Sequence, residues 1–226
     1  HRAAAVSSAT ETAKPRPPKP NFDAFLAAHS ASTDTQSAFM SLLSLWQVEL
    51  EIGSAAPPPC EQVSVLGLEC HADKASFAEL RVYNRPAIVT LALPDGTSRQ
   101  VVVTSLDDQH AVVQAGQDSF AADVVDLARL WLGDYLILWK PPLNPSSLIR
   151  PGSHGPEVLW LRSRLGDLIA APQPDLYDMQ LSRAIAQFQQ AHHLAADGLA
   201  GTRTQLVLDG SYKMAVGPLL QIEGTH

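Results

Sequence analysis

Gly152-Ser-His-Gly155-Pro156-Glu157-Val158, Asp175-Leu-Tyr177-Asp178 and Asp197-Gly198-Leu-Ala-Gly201-Thr202 punctuate the C-terminal part of the chain, and apolar residues at helical spacing follow each of them. Pro156 suits the first position of a helix, where a missing N–H costs nothing, and Glu157 favours the positive end of the helix dipole. Val158, Leu161 and Leu165 then fall on one face. Leu181, Ala184, Ile185 and Phe188 repeat that pattern at i, i+3, i+4 and i+7, with Asp178 placed to cap. Asp197-Gly198 marks a turn, Gly201 permits a positive φ, Thr202 is placed to cap a third short helix toward Leu208, and Asp209-Gly210 stops it. The spacing predicts three short helices around one apolar centre, a bundle near the size limit for an independent core.

The ordered series from Arg150 to Leu208 resembles the small three-helix peptidoglycan-binding module appended to many bacterial cell-wall proteins. This chain departs from the family's first half-repeat, with Asp175 and Asp178 where glycines are usual and Leu181 where threonine is usual. The resemblance implies a cell-wall ligand held around the polar turns, by Gly152, His154 and Gly155, by Tyr177 and Asp178, and by Gly201, Thr202 and Arg203. Tyr177 would stack on a sugar face, and N–H groups at helix starts would receive peptide carboxylates. Arg183 and Arg203 would add charge-assisted bonds. The competing reading is that the glycines and Asp197 serve turns alone.

Working outward, the whole chain has 226 residues, 46% hydrophobic and 17% charged, a composition of globular rather than disordered sequence. No apolar run reaches the ~18 residues of a membrane span. The formal charge of −7 argues against a nucleic-acid partner, whose phosphates would be repelled. The start at His1, with neither an initiating methionine nor an apolar leader, gives the expectation of a piece of a longer protein. Residues 1–20 read as an extended linker, Ala- and Ser/Thr-rich and then Pro-rich from Lys14 to Pro20. A second joint at Pro141–Ser147 separates an expected domain over 21–142 from the three-helix domain and C-terminal tail over 143–226.

Between the joints the pattern is mixed. Asp34 or Thr35 is placed to cap a helix carrying Phe39, Leu42, Leu43 and Trp46, and Cys60–Leu66 reads as a short helix stopped by Gly67. Ser76 with Glu79 forms a capping box. Ala87–Leu93 and Arg99–Leu106 read as strands joined by a hairpin at Pro94-Asp95-Gly96, with a third strand at Ala111–Gln114. Ala121–Trp131 reads as a helix, Gly133-Asp134 as a turn and Tyr135–Trp139 as a last strand. Helices first and an antiparallel sheet afterwards predict the α+β class.

That order, with Asn84-Arg85-Pro86-Ala87 leading into a strand and Trp131-Leu-Gly133-Asp134-Tyr135 near the end, resembles the papain-like peptidases that trim double-glycine leaders from bacteriocins. In that family a cysteine opens the first long helix, a histidine starts the second of two adjacent strands, and an aspartate follows one strand later. The matching positions here are Gln36 or Ser37, Arg99 or Gln100, and Gln114 or Ala115. A thiolate nucleophile needs a base within reach and a third group to orient it. None of these positions supplies one, so the resemblance implies a degenerate papain-like fold with no catalytic residue.

Other constellations also fall short. His192-His193 lacks a third metal ligand at a recognised spacing, and Asp107-Asp108 lacks a calcium-loop pattern. No phosphate-cradling glycine loop and no serine nucleophile elbow are present. Neither a metal nor a cofactor is expected.

A degenerate peptidase-like domain followed by a wall-binding module resembles, over roughly residues 34–210, the periplasmic region of the general secretion pathway protein A family, assembly ATPases of type II secretion. The resemblance implies a non-catalytic periplasmic region of an inner-membrane-anchored protein that grips peptidoglycan and helps the outer-membrane secretin through the wall. The implied partners are general secretion pathway protein B, the secretin and further copies of the chain. The competing class is a cell-wall hydrolase or cysteine peptidase targeted by its wall module. Cys60 and Cys70, the only cysteines, are either a disulfide that suits an oxidising periplasm or two unrelated buried thiols; the wall module favours the disulfide.

Overall fold

Asn21 accepts the Ala24 N–H at 2.7 Å, capping helix α1 (Phe22–Ala28), which buries Phe22, Phe25 and Leu26. The computed structural model describes residues 21–50, 56–143, 145–166 and 171–220; the expected linker over 1–20 and the tail beyond 220 lie outside the described residues. Asp34 caps α2 (Thr35–Trp46) through the Ser37 N–H. Pro59 opens α3 (Pro59–Val65), and strand β1 (Glu69–Lys74) follows. Both bonds of the Ser76–Glu79 capping box form at α4 (Phe77–Tyr83). Strands β2 (Ala87–Ala92) and β3 (Ser98–Leu106) make the expected hairpin, with Gly96 at φ 81° and Asp95 accepting the Thr97 N–H. Then come β4 (His110–Ala115), β5 (Asp118–Asp123), the short α5 (Val124–Ala128) and β6 (Trp131–Trp139). The six strands form one antiparallel sheet in the order β1-β6-β2-β3-β4-β5, so the chain is α+β.

Three local expectations are corrected. The stretch Ala121–Trp131 is helical only over Val124–Ala128; its start pairs with β4, Ala122 opposite Ala111 with both buried. Cross-strand pairing and burial override the helix preference of the alanines there. Strand β6 begins at Trp131 rather than Tyr135, and Gly133 (φ 100°) lies in the irregular stretch between Leu91↔Trp131 and Val89↔Tyr135. The third strand begins one residue earlier than expected, at His110, whose N–H is accepted by Asp107. β1 was not expected at all.

Alternation along the strands builds two apolar layers. Ile88, Val102 and Leu138 face α2 and α3, packing on Ala38, Phe39, Leu42, Leu43 and Val63. Ala87, Val89, Val101, Val103, Ile137 and Trp139 face the other way, onto α1 and α4. The disulfide between Cys60 and Cys70, with Cα atoms 5.7 Å apart, ties α3 to β1.

The last three helices, α6 (Pro156–Leu165), α7 (Met179–Ala191) and α8 (Thr202–Gly210), close around Ile149, Val158, Leu161, Tyr177, Leu181, Ile185, Ala200 and Leu208. α8 has no solvent face over most of its length. Leu208 enters the bundle, whereas Leu206 and Val207, together with Leu220 beyond the helix, join the core beneath the sheet. Next to them the fully buried Arg85 guanidinium pairs with the Asp209 carboxylate and donates to the Val216 and Pro218 carbonyls at 2.8 and 3.0 Å. Arg164 approaches the other Asp209 oxygen at 3.5 Å. Burial pushes the Asp209 carboxyl up from its ordinary value, and Arg85 and Arg164 oppose that shift. A Cβ on Gly210 would overlap the Tyr83 carbonyl oxygen, so only glycine allows the two backbones to meet there.

Candidate functional site

The polar turns singled out in the sequence do not gather into one surface. Around the first two, the backbone closes on itself: Gly152 N–H donates to Tyr177 O, Gly155 N–H to Asp175 O, and His154 pairs with Leu176 in an isolated bridge. Gly152 and Gly155 have φ of 89° and 122°, so both glycines serve the turn. The His154 side chain is exposed. Asp178 caps α7, accepting the Leu181 N–H at 2.7 Å, and pairs with Arg162 at 3.1 Å. The Leu181 N–H is the main cause holding its carboxyl below the usual range.

Tyr177 is a correction. It is 1% exposed, and its hydroxyl donates to Gly198 O at 2.7 Å, so the ring is bundle core and unavailable to a sugar. Desolvation raises its hydroxyl pKa. Arg183 is exposed but lines a separate groove of about 560 Å³ with Leu165, Gln187 and Phe188.

The third turn is open. A groove of about 410 Å³ lies along Asp197, Leu199, Gly201, Thr202 and Arg203, bringing together the three site residues expected here. Gly201 is the N-cap of α8, with φ −74° and no side-chain capping bond. Both the positive φ expected for Gly201 and the cap expected from Thr202 are therefore corrected; the Thr202 hydroxyl instead lies 3.3 Å from Ser146 Oγ. The turn is held from beneath by the buried Gln189 amide. Its Nε2 donates to Asp197 Oδ1, Leu199 O and Thr204 Oγ1, while its Oε1 accepts the Gly198 N–H. Every polar atom of that amide is used, which rigidifies the rim.

Arg203 reaches beyond the bundle. Its Nη2 donates to Asp73 on β1 at 2.7 Å, and Nη1 stands 4.0 Å from Glu79 Oε1 on α4. The Arg203 bond is the main cause lowering Asp73's pKa. Glu79 also lines the groove, and sequence reasoning assigned it only a capping role.

At the positions matched to the peptidase triad, the Ser37 hydroxyl donates to Asp34, Gln100 Nε2 to Thr90 Oγ1 at 3.2 Å, and Gln114 Nε2 to Gly116 O at 2.8 Å. Gln100 and Gln114, each one of the two candidates for its position, carry neutral amides, which are not bases. Both cysteines are consumed in the disulfide. Among the described residues no group of three His, Cys, Asp or Glu is placed to hold a metal, and no helix is long and apolar enough to cross a membrane.

Residues 154–208 match the peptidoglycan binding domain family. The chain is 28% identical over 198 residues to general secretion pathway protein A of Aeromonas hydrophila, a match covering 87% of this chain and 35% of the relative. It is 32% identical over 179 residues to the general secretion pathway protein A of Escherichia coli (strain K12), covering 78% of this chain and 36% of the relative. The chain thus spans about a third of the length of the curated relatives it matches. Its fold is similar to a periplasmic domain of the EpsAB fusion protein of the Vibrio vulnificus type II secretion system, with TM-score 0.54 and 20% identity over 87% of this chain and 96% of that one. In sequence and in fold, the chain resembles the periplasmic region of general secretion pathway protein A, with a peptidoglycan-binding domain near its C-terminus.

Proposed function

We propose that this chain is a non-catalytic peptidoglycan-binding region that acts in the periplasm, where it helps assemble or insert the type II secretin through the cell wall. The observation that carries the reading is the peptidoglycan-binding family match over 154–208, which falls on the bundle with the open α8 groove. The bonded cysteines and the Ser37, Gln100 and Gln114 substitutions support a region that binds without cutting. The same reading makes residues 21–142 a peptidase-like unit without activity and 143–226 the wall-gripping unit. It takes general secretion pathway protein B and the secretin as partners, further copies of the chain as neighbours, and the inner membrane as the anchor.

A wall is a repeated lattice, so each groove needs only weak affinity and gains by multivalency. The test is co-sedimentation of the whole chain with purified sacculi, with the supernatant analysed for released muropeptides. The chain pellets and no muropeptide appears. A chain that stays in the supernatant overturns the wall assignment, and muropeptide release overturns the non-catalytic one.

A further inference from the structure

The groove beside α8 has walls from two distant parts of the chain: Gly201, Thr202 and Arg203 from the bundle, and Glu79 from the α4 N-terminus beside the sheet. Glu79 and Arg203 stand 4.0 Å apart with their side chains 44% and 47% exposed. That separation is longer than a direct hydrogen bond. Each is held from behind. Glu79 Oε2 accepts from the Ser76 N–H and hydroxyl at 2.8 and 3.0 Å, and Arg203 Nη2 is bound to Asp73. Oε1 of Glu79 and Nη1 of Arg203 are the ends that face each other. Side chains anchored in this way lose little rotamer freedom when a ligand arrives. Half-exposed Leu148 supplies an apolar surface on the same groove. The junction that sets the spacing is itself fixed, by the buried Arg85–Asp209 pair and by Ser146 donating to the Glu69 carboxylate.

We infer that the wall ligand is gripped across this junction: the groove takes a short zwitterionic peptide, with Arg203 receiving a carboxylate and Glu79 an ammonium group. This rests on the peptidoglycan-binding reading and narrows it to the peptide stems rather than the glycan strand, which has no ammonium group to offer Glu79. A volume of about 410 Å³ suits a few residues of peptide, within the ordinary range of ligand pockets. The inference makes a residue outside the family-matched segment part of the binding site.

Glu79→Gln tests it cleanly, because glutamine at the third helical position still closes a capping box and the variant folds like the parent. The whole chain is titrated with a synthetic stem tetrapeptide, followed by amide chemical shifts, and again with the same peptide acetylated at its amines. Glu79→Gln weakens the free-amine peptide about tenfold, the loss of one charge-assisted contact, and leaves the acetylated peptide unchanged. Arg203→Met weakens both. Equal affinity of parent and Glu79→Gln for the free-amine peptide overturns the inference while sacculus binding still stands. A parent that pellets with sacculi yet ignores the tetrapeptide overturns it too, in favour of the glycan. A parent that does neither removes the wall reading as well.

Discussion

The two ends of the three-helix bundle are built from similar turn residues and behave differently. At the first end, Gly152 and Gly155 donate to the Tyr177 and Asp175 carbonyls, Asp178 caps α7 and Tyr177 is buried, leaving a closed turn. At the other, Gly201, Thr202 and Arg203 open onto a groove, and the helix they begin is sandwiched between bundle and sheet. What separates them is the neighbour. Among the described residues, the bonds of Gly152, Gly155 and Asp178 stay within the bundle, whereas α8 has Tyr83, Asn84 and Arg85 of the sheet unit against its far end. Similar local sequence becomes a hinge-free turn in one place and half of a joint in the other.

The hardest test of that contrast is to break the joint. Arg85→Ala leaves Asp209 buried beside Arg164 alone and opens a cavity under Val216 and Pro218. A loss of about 3–5 kcal/mol follows, as for removal of one partner of a buried pair, and sheet and bundle unfold together in one transition by calorimetry. Two well-separated transitions in the parent protein would mean that the junction is not cooperative. Gly210→Ala acts at the same place by forcing apart the Tyr83 backbone contact.

The Cys60–Cys70 bond ties α3 to β1 rather than the sheet to the bundle, so replacing both cysteines with alanine lowers stability by about 2–3 kcal/mol, as expected for a short closed loop. Sacculus binding remains near the parent level. Intact mass after alkylation without reductant shows no added label; two labels would mean free thiols and reopen the cysteine-peptidase reading.

At the closed end, Tyr177→Phe removes the bond to Gly198 O and costs about 1 kcal/mol, measured by thermal melts, with wall binding unaltered. A large loss of binding without loss of stability would restore the stacking role that burial denies it.

The smallest effect separates the sheet from the bundle by pH. Burial lowers the His71 pKa, so the unfolded state binds its proton more readily. The sign follows from linkage: stability is fullest above the unfolded histidine value of about 6.5 and falls as pH drops through it. His71→Asn flattens that slope in melts between pH 7.5 and 5.5. The Asp178 carboxyl, held low by the Leu181 N–H, adds a separate loss only at more acid pH, near and below the unfolded aspartate value of about 3.9.

Most of the helices were legible because their signals are local. Asp34, Asp178 and the Ser76–Glu79 box each cap a helix within three residues of themselves, and Asp95-Gly96 turns its own hairpin. Strand β5 was not legible. Ala121 and Ala122 carry no strand preference, and their partners Val112 and Ala111 on β4 make them a strand. Strand β1 likewise exists because β6 lies beside it, Cys70 opposite Leu138. At the candidate site, the chemistry of Arg203, Gly201 and Thr202 could be named in advance, but not which turn would stay open.

The sequence by itself determined the caps at Asp34, Asp178 and the Ser76–Glu79 box, the α+β class and the wall-binding signature, since each depends on residues a few positions apart. Only the tertiary structure decided that Tyr177 is core, that Arg85 meets Asp209 across 124 positions and that Glu79 faces Arg203. Such pairings join segments far apart along the chain. No local propensity or period encodes them; they arise where burial of Leu206, Val207 and Leu220 against the sheet brings the segments together.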